Sequence, residues 1–312
     1  MKDVETGLLL RPNRQRGHAS DRPRARTIRE LHLEGTTLRL GTLAIEAGTT
    51  AAVFVGDECA PVPGFTDAGA ILRGGPEALA AAEAAGAGPL EPYREIALRA
   101  PVLAPGAVVC QGLNFKKHVL EMGRELPKAP TLFGKFPRAL CGPSDVVRLT
   151  PASAAVDYEG ELVAVIGRRA RNVGRENALE YVGGYTLMND VSMRDLQSRS
   201  LQWFAGKNLE ASTPVGPWIV TADEVDPATL TLTTTVSGEV RQHARLSDLI
   251  FDVATLVADI STLFTLEPGD LIATGTPGGV GSSFKPGRFL RDGDVVTVTV
   301  DGIGALRTEF RA

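Results

Sequence analysis

Residues 157–167 read DYEGELVAVIG, and no other stretch constrains the fold as tightly. From Leu162 onward the segment reads as a buried β-strand. Just before that run, Glu159 and Glu161 stand two residues apart. Side chains on a strand alternate faces, so i and i+2 point the same way. Two carboxylates therefore lie side by side at the mouth of a hydrophobic strand, where a low dielectric strengthens their repulsion. Two readings follow. For an arbitrary pair of acids the plain one is a solvated strand end. The sharper one is a hard divalent cation held between same-face carboxylates, since Mg²⁺ and Mn²⁺ prefer octahedral oxygen ligands. Such a site calls for a third carboxylate. Asp190 ends GYTLMND, where a strand is expected to become the helix VSMRDLQ; its alternative role is an N-cap or turn aspartate.

Three more segments carry chemistry-bearing residues. In GLNFKKHVLEMG, His118 and Glu121 are three apart and share a face if the segment is helical. A histidine oriented by a carboxylate is the usual general base for water, although the same spacing also describes an ordinary surface pair. Lys207, in WFAGKNLEAS, has small and apolar neighbours, as a lysine facing a polarised carbonyl or enolate would; the default is a solvated lysine. GTPGGVG, Gly275 to Gly281, lacks both the GK[ST] ending of a P-loop and the GxGxxG spacing. A tight loop bringing backbone N–H groups and the Thr276 hydroxyl to a substrate carboxylate fits it better than nucleotide binding.

The bulk of the chain narrows the function classes. Its 312 residues are 43% hydrophobic and 22% charged, in keeping with a globular protein of about two domains. A net charge of −4 argues against a broad nucleic-acid or anionic-membrane surface. No run reaches the roughly 20 apolar residues of a membrane span. Cys59, Cys110 and Cys141 show no pairing or metal spacing, which points to a reducing, cytoplasmic setting. Four scattered histidines (His18, His32, His118 and His243) make a zinc site a poor fit.

Along the chain, residues 1–30 form an Arg-rich segment read as a flexible tail. A transit peptide is its alternative, weakened by Asp3, Glu5, Asp21 and Glu30. Residues 31–98 read as a small α+β domain, with a hairpin at VFVGDE and an Ala-rich helix at GPEALAAAEAAGAG. PVLAPGAVV leads into a larger unit, residues 99–312. There TLTTTVSGEVRQ is strand–turn–strand and SDLIFDVATLVADISTLF is an amphipathic helix, with Asp248 and Asp252 at its N-terminal end. DGDVVTVTVDGIGALRTEF closes the chain as alternating strands. The expected class is α+β, dominated by β.

Six strings occur in order: GLNFKKHVLEMG, LFGKFPRALCGPSD, VDYEGELVAVIG, YVGGYTLMNDVSMRDLQ, QWFAGKNLEASTPVGPW and LEPGDLIATGTPGGVG. Together they resemble the fumarylacetoacetate hydrolase family in its shorter, bacterial-type branch, over about residues 105 to 312. The resemblance implies a β-rich catalytic roll with a smaller N-terminal domain, assembled as a homodimer. It implies that Glu159, Glu161 and Asp190 hold Mg²⁺ or Mn²⁺, and that His118 and Glu121 form a catalytic pair on a lid-like helix. Arg194 and Gln197 match positions that line the substrate site. Lys207 matches the lysine that neutralises developing negative charge, and Thr276 a position near the substrate carboxylate. Two departures stand out. Where the animal hydrolase supplies one more acid ligand, this chain has Gln111, which favours a three-carboxylate site. Ser237 stands where Asn is common.

The implied reaction is hydrolysis of a C–C bond in a 2,4-dioxo acid of the acylpyruvate or fumarylpyruvate type. His118, oriented by Glu121, deprotonates a water that attacks C4; Lys207 and Gln197 stabilise the oxyanion. C3–C4 cleavage then leaves a pyruvate-type enolate, made an acceptable leaving group by a Lewis acid. The same enolate chemistry serves oxaloacetate decarboxylation, keto–enol tautomerisation or hydroxydienoate isomerisation. A non-catalytic ligand-binding relative is the reading from another class, and the full set of acids with His118, Glu121 and Lys207 argues against it.

Overall fold

The apolar run of residues 162–166 is completely buried because its two faces serve two different cores. In the computed structural model, which describes residues 38–94, 97–121 and 125–312, the strand Gly160–Ile166 lies inside a 12-stranded sheet. Leu162, Ala164 and Ile166 point into one core, Val163 and Val165 into the other. The first core is closed by the helix Val253–Leu263, through Val253, Leu256, Val257 and Ile260. A five-stranded sheet also covers it, through Leu232, Val296, Val298, Val300, Leu306 and Phe310. The second is closed by the helix Ala68–Gly86, through Ile71, Leu72 and Leu79. This is the β-rich α+β architecture expected. Among the described residues no helix is long and apolar enough to cross a membrane.

The large sheet is mostly antiparallel. Gly160–Ile166 pairs with Val182–Asn189 on one side and Leu271–Ala273 on the other. Leu271–Ala273 in turn runs parallel to Val108–Gly112. These neighbours bring the EGE, ND, GT and GLN segments to one end of adjacent strands. Strands Arg39–Ile45 and Gly48–Val55 continue the same sheet through the pairing of Arg39 with Val220 and Leu40 with Ile219. The five-stranded sheet holds Glu239–Arg245, Thr231–Val236, Val295–Val300, Gly304–Arg311 and Val147–Arg148, in that order. The Arg-rich segment of residues 1–30 lies outside the described residues, as do the side chains of His118 and Glu121.

Local chemistry moves some boundaries. The amphipathic helix begins at Val253, because the Asp252 side chain caps it by accepting from Thr255 N at 2.8 Å. Leu249 and Ile250, expected inside it, are used for tertiary contacts instead: Ile250 N donates to Asn114 O at 2.7 Å. No long helix follows Asp190. Ser192–Met193 pairs with Val156–Asp157, and only Arg194–Gln197 is helical. The Ala-rich helix starts earlier than its sequence pattern indicates, at Ala68 with Asp67 as cap, and changes direction at Gly75 (φ 67°) before Pro76.

Candidate metal centre and active site

Glu159 lies in the break between the short strand Val156–Asp157 and Gly160–Ile166, so the two glutamates are not on one continuous strand. They still converge. The Glu159 backbone is held from both sides: its N donates to Asn189 Oδ1 (3.0 Å) and its O accepts from Asp190 N (2.8 Å). Glu159, Glu161 and Asp190 are all buried, and one carboxylate oxygen from each lies within 4.8 Å of the others. The plain reading of a solvated strand end is therefore excluded by burial, and Asp190 is not a helix cap.

Charge is the next question, because three buried carboxylates cannot coexist unpaired. Lys207, 2% exposed, places Nζ at 2.6 Å from both Glu159 Oε2 and Asp190 Oδ2. Lys135, also buried, donates from Nζ to Asp190 Oδ1 at 2.7 Å. Arg194 contacts Glu159 Oε1 through Nη2 (2.6 Å), Asp157 Oδ2 through Nε (2.8 Å) and Gln197 Oε1 through Nη1 (3.0 Å). Burial alone would raise the Asp190 carboxyl, but Lys135 and Lys207 bring it down to about 2. For Lys207, burial favours the neutral amine, yet Asp190 and Glu159 outweigh it, and the ammonium persists well above neutral pH. Glu161 is the exception. Its one hydrogen bond among the described residues is from Gly275 N at 2.9 Å, and burial, reinforced by Asp190 and Glu159, pushes its pKa well above the carboxylate range.

A divalent ion fits this donor set. The three carboxylates offer hard oxygen ligands at convergent positions, and Glu161 lacks the cationic partner that its neighbours have. Counting Asp157, four carboxylates face three cations, Lys135, Arg194 and Lys207, so with every acid ionised the cluster carries one unbalanced negative charge.

Glu159, Glu161 and Lys207 form the floor of a cavity of about 700 Å³, within the range of small-molecule sites, with Asp190 buried behind them. Arg194, Gln197, Gln111 and Thr276 also line it, and Leu113, Leu132, Phe133, Leu201, Trp203 and Val280 make apolar walls. The Gln197 amide orientation is set chemically: its oxygen accepts from Arg194, which leaves its NH₂ as a donor for a ligand. The Thr276 hydroxyl donates to Gly160 O (3.0 Å) and accepts from Gln242 Nε2 (2.8 Å). Trp203 packs on Gly112, where a Cβ would come within 2.4 Å of the indole.

The helix Lys116–Glu121 carries His118 and Glu121 three residues apart. Asn114 anchors its base through Nδ2 to Thr274 O (2.7 Å) and Phe251 O (2.9 Å), and through Oδ1 to Phe251 N (2.8 Å). Lys135, Asp157 and Gln242 escape a reading of the sequence. Lys135 had one visible signal, a lone lysine in the apolar segment TLFGKFP. Asp157, which no local pattern singles out, is fully buried and takes hydrogen bonds from Arg194, Gly281 N and Ser282 N.

Known proteins share this framework. Residues 107–311 match the family model described as "Fumarylacetoacetate (FAA) hydrolase C-terminal". Oxaloacetate tautomerase YisK of Bacillus subtilis is 42% identical over 221 residues, covering 69% of this chain and 73% of that protein. A fumarylacetoacetate hydrolase from psychrophilic Exiguobacterium antarcticum superposes with a TM-score of 0.79 at 36% identity, over 88% of this chain and 99% of that one. The 2-hydroxyhepta-2,4-diene-1,7-dioate isomerase from Mycobacterium marinum gives 0.71 at 37% identity, over 88% and 98%. With fold, sequence and the match over residues 107–311 in agreement, this chain is an enzyme of the fumarylacetoacetate hydrolase family.

Proposed function

We propose that this enzyme acts on a small 2-oxo acid by stabilising its enolate, and that keto–enol tautomerisation of oxaloacetate is its reaction. The observation that carries the reading is the convergence of Glu159, Glu161 and Asp190 beside Lys207, at a cavity that Glu159, Glu161, Lys207 and Gln197 line. Glu159, Glu161 and Asp190 would hold Mg²⁺ or Mn²⁺, which when bound supplies a Lewis acid for a carbonyl oxygen. Transfer of a proton from C3 of a 2-oxo acid to solvent water moves negative charge onto the C2 oxygen, which then takes a proton back from water to give the enol. Lys207, kept protonated by its carboxylate neighbours, and the Gln197 NH₂ line the cavity and would donate to that charge. With all four acids ionised, a divalent ion would leave the cluster with one net positive charge, which suits an anionic substrate. The similarity to an oxaloacetate tautomerase and to a dienedioate isomerase favours enolate chemistry without C–C bond cleavage.

Hydrolysis of an acylpyruvate is the second reading. It rests on His118 and Glu121, since a paired base is needed for activating water and is dispensable for a simple tautomer exchange. The test is direct. Enol-oxaloacetate, followed by its ultraviolet absorbance in the presence of Mn²⁺, should ketonise far faster with enzyme than without, and EDTA should remove the difference. A rate equal to the spontaneous one rejects the first reading; acylpyruvate loss in parallel assays supports the second.

A further inference from the structure

The five-stranded sheet abuts the carboxylate segment at Gly160, which separates Glu159 from Glu161. Thr234 and Gln242 are cross-strand partners in that sheet and both reach Gly160. A Cβ on Gly160 would fall 2.1 Å from Thr234 Oγ1. Gln242, 1% exposed, accepts from Gly160 N through Oε1 at 3.0 Å. Its Nε2 donates to Thr276 Oγ1 and to Pro277 O, both at 2.8 Å. The amide orientation is settled at both ends: a backbone N–H needs the oxygen and a proline carbonyl needs the NH₂. The neighbouring residue tightens the same contact, because a Cβ on Gly279 would lie 1.9 Å from Arg241 O.

We propose that Gln242 is a positioning residue with two arms. Through Gly160 it sets the separation of the Glu159 and Glu161 carboxylates. Through Thr276 and Pro277 it sets the cavity wall against which the substrate lies. As a neutral side chain, it does this without altering the charge of the site. All three of its hydrogen-bonding capacities named here are used within the protein, so a contact with substrate is not part of the role.

The proposal rests on the metal reading of the three acids, and the test uses binding rather than turnover. Mn²⁺ is titrated calorimetrically into the EDTA-treated full chain, and oxalate into the Mn²⁺-loaded protein. Gln242→Met should raise the Mn²⁺ Kd about tenfold, as losses beyond the ligand shell commonly do, and weaken oxalate by a similar factor. In a Thr276→Val background, Gln242→Met should cost little further oxalate affinity while its effect on Mn²⁺ persists. Gln242→Asn keeps the amide but is one methylene too short to span Gly160 and Thr276; it should show the same losses and serves if the Met variant does not fold. Lowered thermal stability with unchanged Mn²⁺ and oxalate affinities would overturn the proposal, as would additive oxalate effects of Gln242→Met and Thr276→Val. Wild-type protein that takes up no Mn²⁺ would overturn the metal reading together with it.

Discussion

Lys207 Nζ sits 2.6 Å from Asp190 Oδ2, while the opposite oxygen of the same carboxylate is held by Lys135. Asp190 therefore stays ionised inside a fully buried site, and its geometry is set by two ammonium groups. Removing either lysine strands buried negative charge. Lys135→Met should destabilise the protein by about 3 kcal/mol, the lower range for breaking a buried pair. Urea unfolding measures this; a change below about 1 kcal/mol would show that Lys207 alone suffices.

Glu161 gives the metal-free protein a pH signature. Its folded pKa lies above the unfolded value of about 4.3. Over the interval between the two, the folded state binds more protons than the unfolded one, so stability falls as pH rises. EDTA-treated protein should lose stability from about pH 4.5 upward through the raised pKa, and Glu161→Gln should flatten the slope. Thermal melts across pH 4.5–8 provide the measurement, and a flat wild-type profile would contradict it.

Mn²⁺ should stabilise the wild type by about 2.7 kcal/mol at a hundredfold excess over its Kd. Glu159→Ala removes one of three convergent oxygens and should abolish both this shift and all metal-dependent turnover. Retained, EDTA-insensitive activity in that variant would sink the assignment.

His118→Ala separates the two functional readings. It should reduce acylpyruvate cleavage about a hundredfold or more, the usual scale for a lost general base, and leave oxaloacetate tautomerisation within a few-fold of wild type. Equal loss of both would mean that His118 also moves the C3 proton.

Gly160→Ala should cost about 1–3 kcal/mol, because its Cβ collides with Thr234 Oγ1. Among the described residues Thr234 Oγ1 has no hydrogen-bond partner, so Thr234→Ala sacrifices no such bond. The Gly160→Ala/Thr234→Ala pair should recover most of the stability, as read from chemical denaturation. No recovery would place the obstacle elsewhere.

Much of the site was legible in linear order. The EGE and ND segments each combine an acid with a strongly apolar strand, a pairing so costly that it marks a compensated site. Helix limits were less legible: Asp252 could be recognised as a cap, but the diversion of Leu249 and Ile250 to Phe115 and Asn114 depends on a segment about 135 residues away. Asp190 was identified as a ligand candidate although the long helix expected after it is absent, since the acid's position at a strand end mattered and the following element did not.

The order of motifs and their residue types were enough to point to the family, to the β-rich class and to three acids that the fold brings together. They could not reveal the roles of Asp157 or Gln242, because nothing in their own neighbourhoods distinguishes them from ordinary polar residues, and Lys135 offered only its apolar surroundings. Folding gives them their roles. It brings Lys135 against an acid 55 residues away and Gln242 against a glycine 82 residues away. Burial then makes those contacts costly to lose. The opening DYEGEL segment illustrates the division: local sequence dictates two crowded carboxylates, and only the tertiary structure decides which cations share them and which acid is left without one.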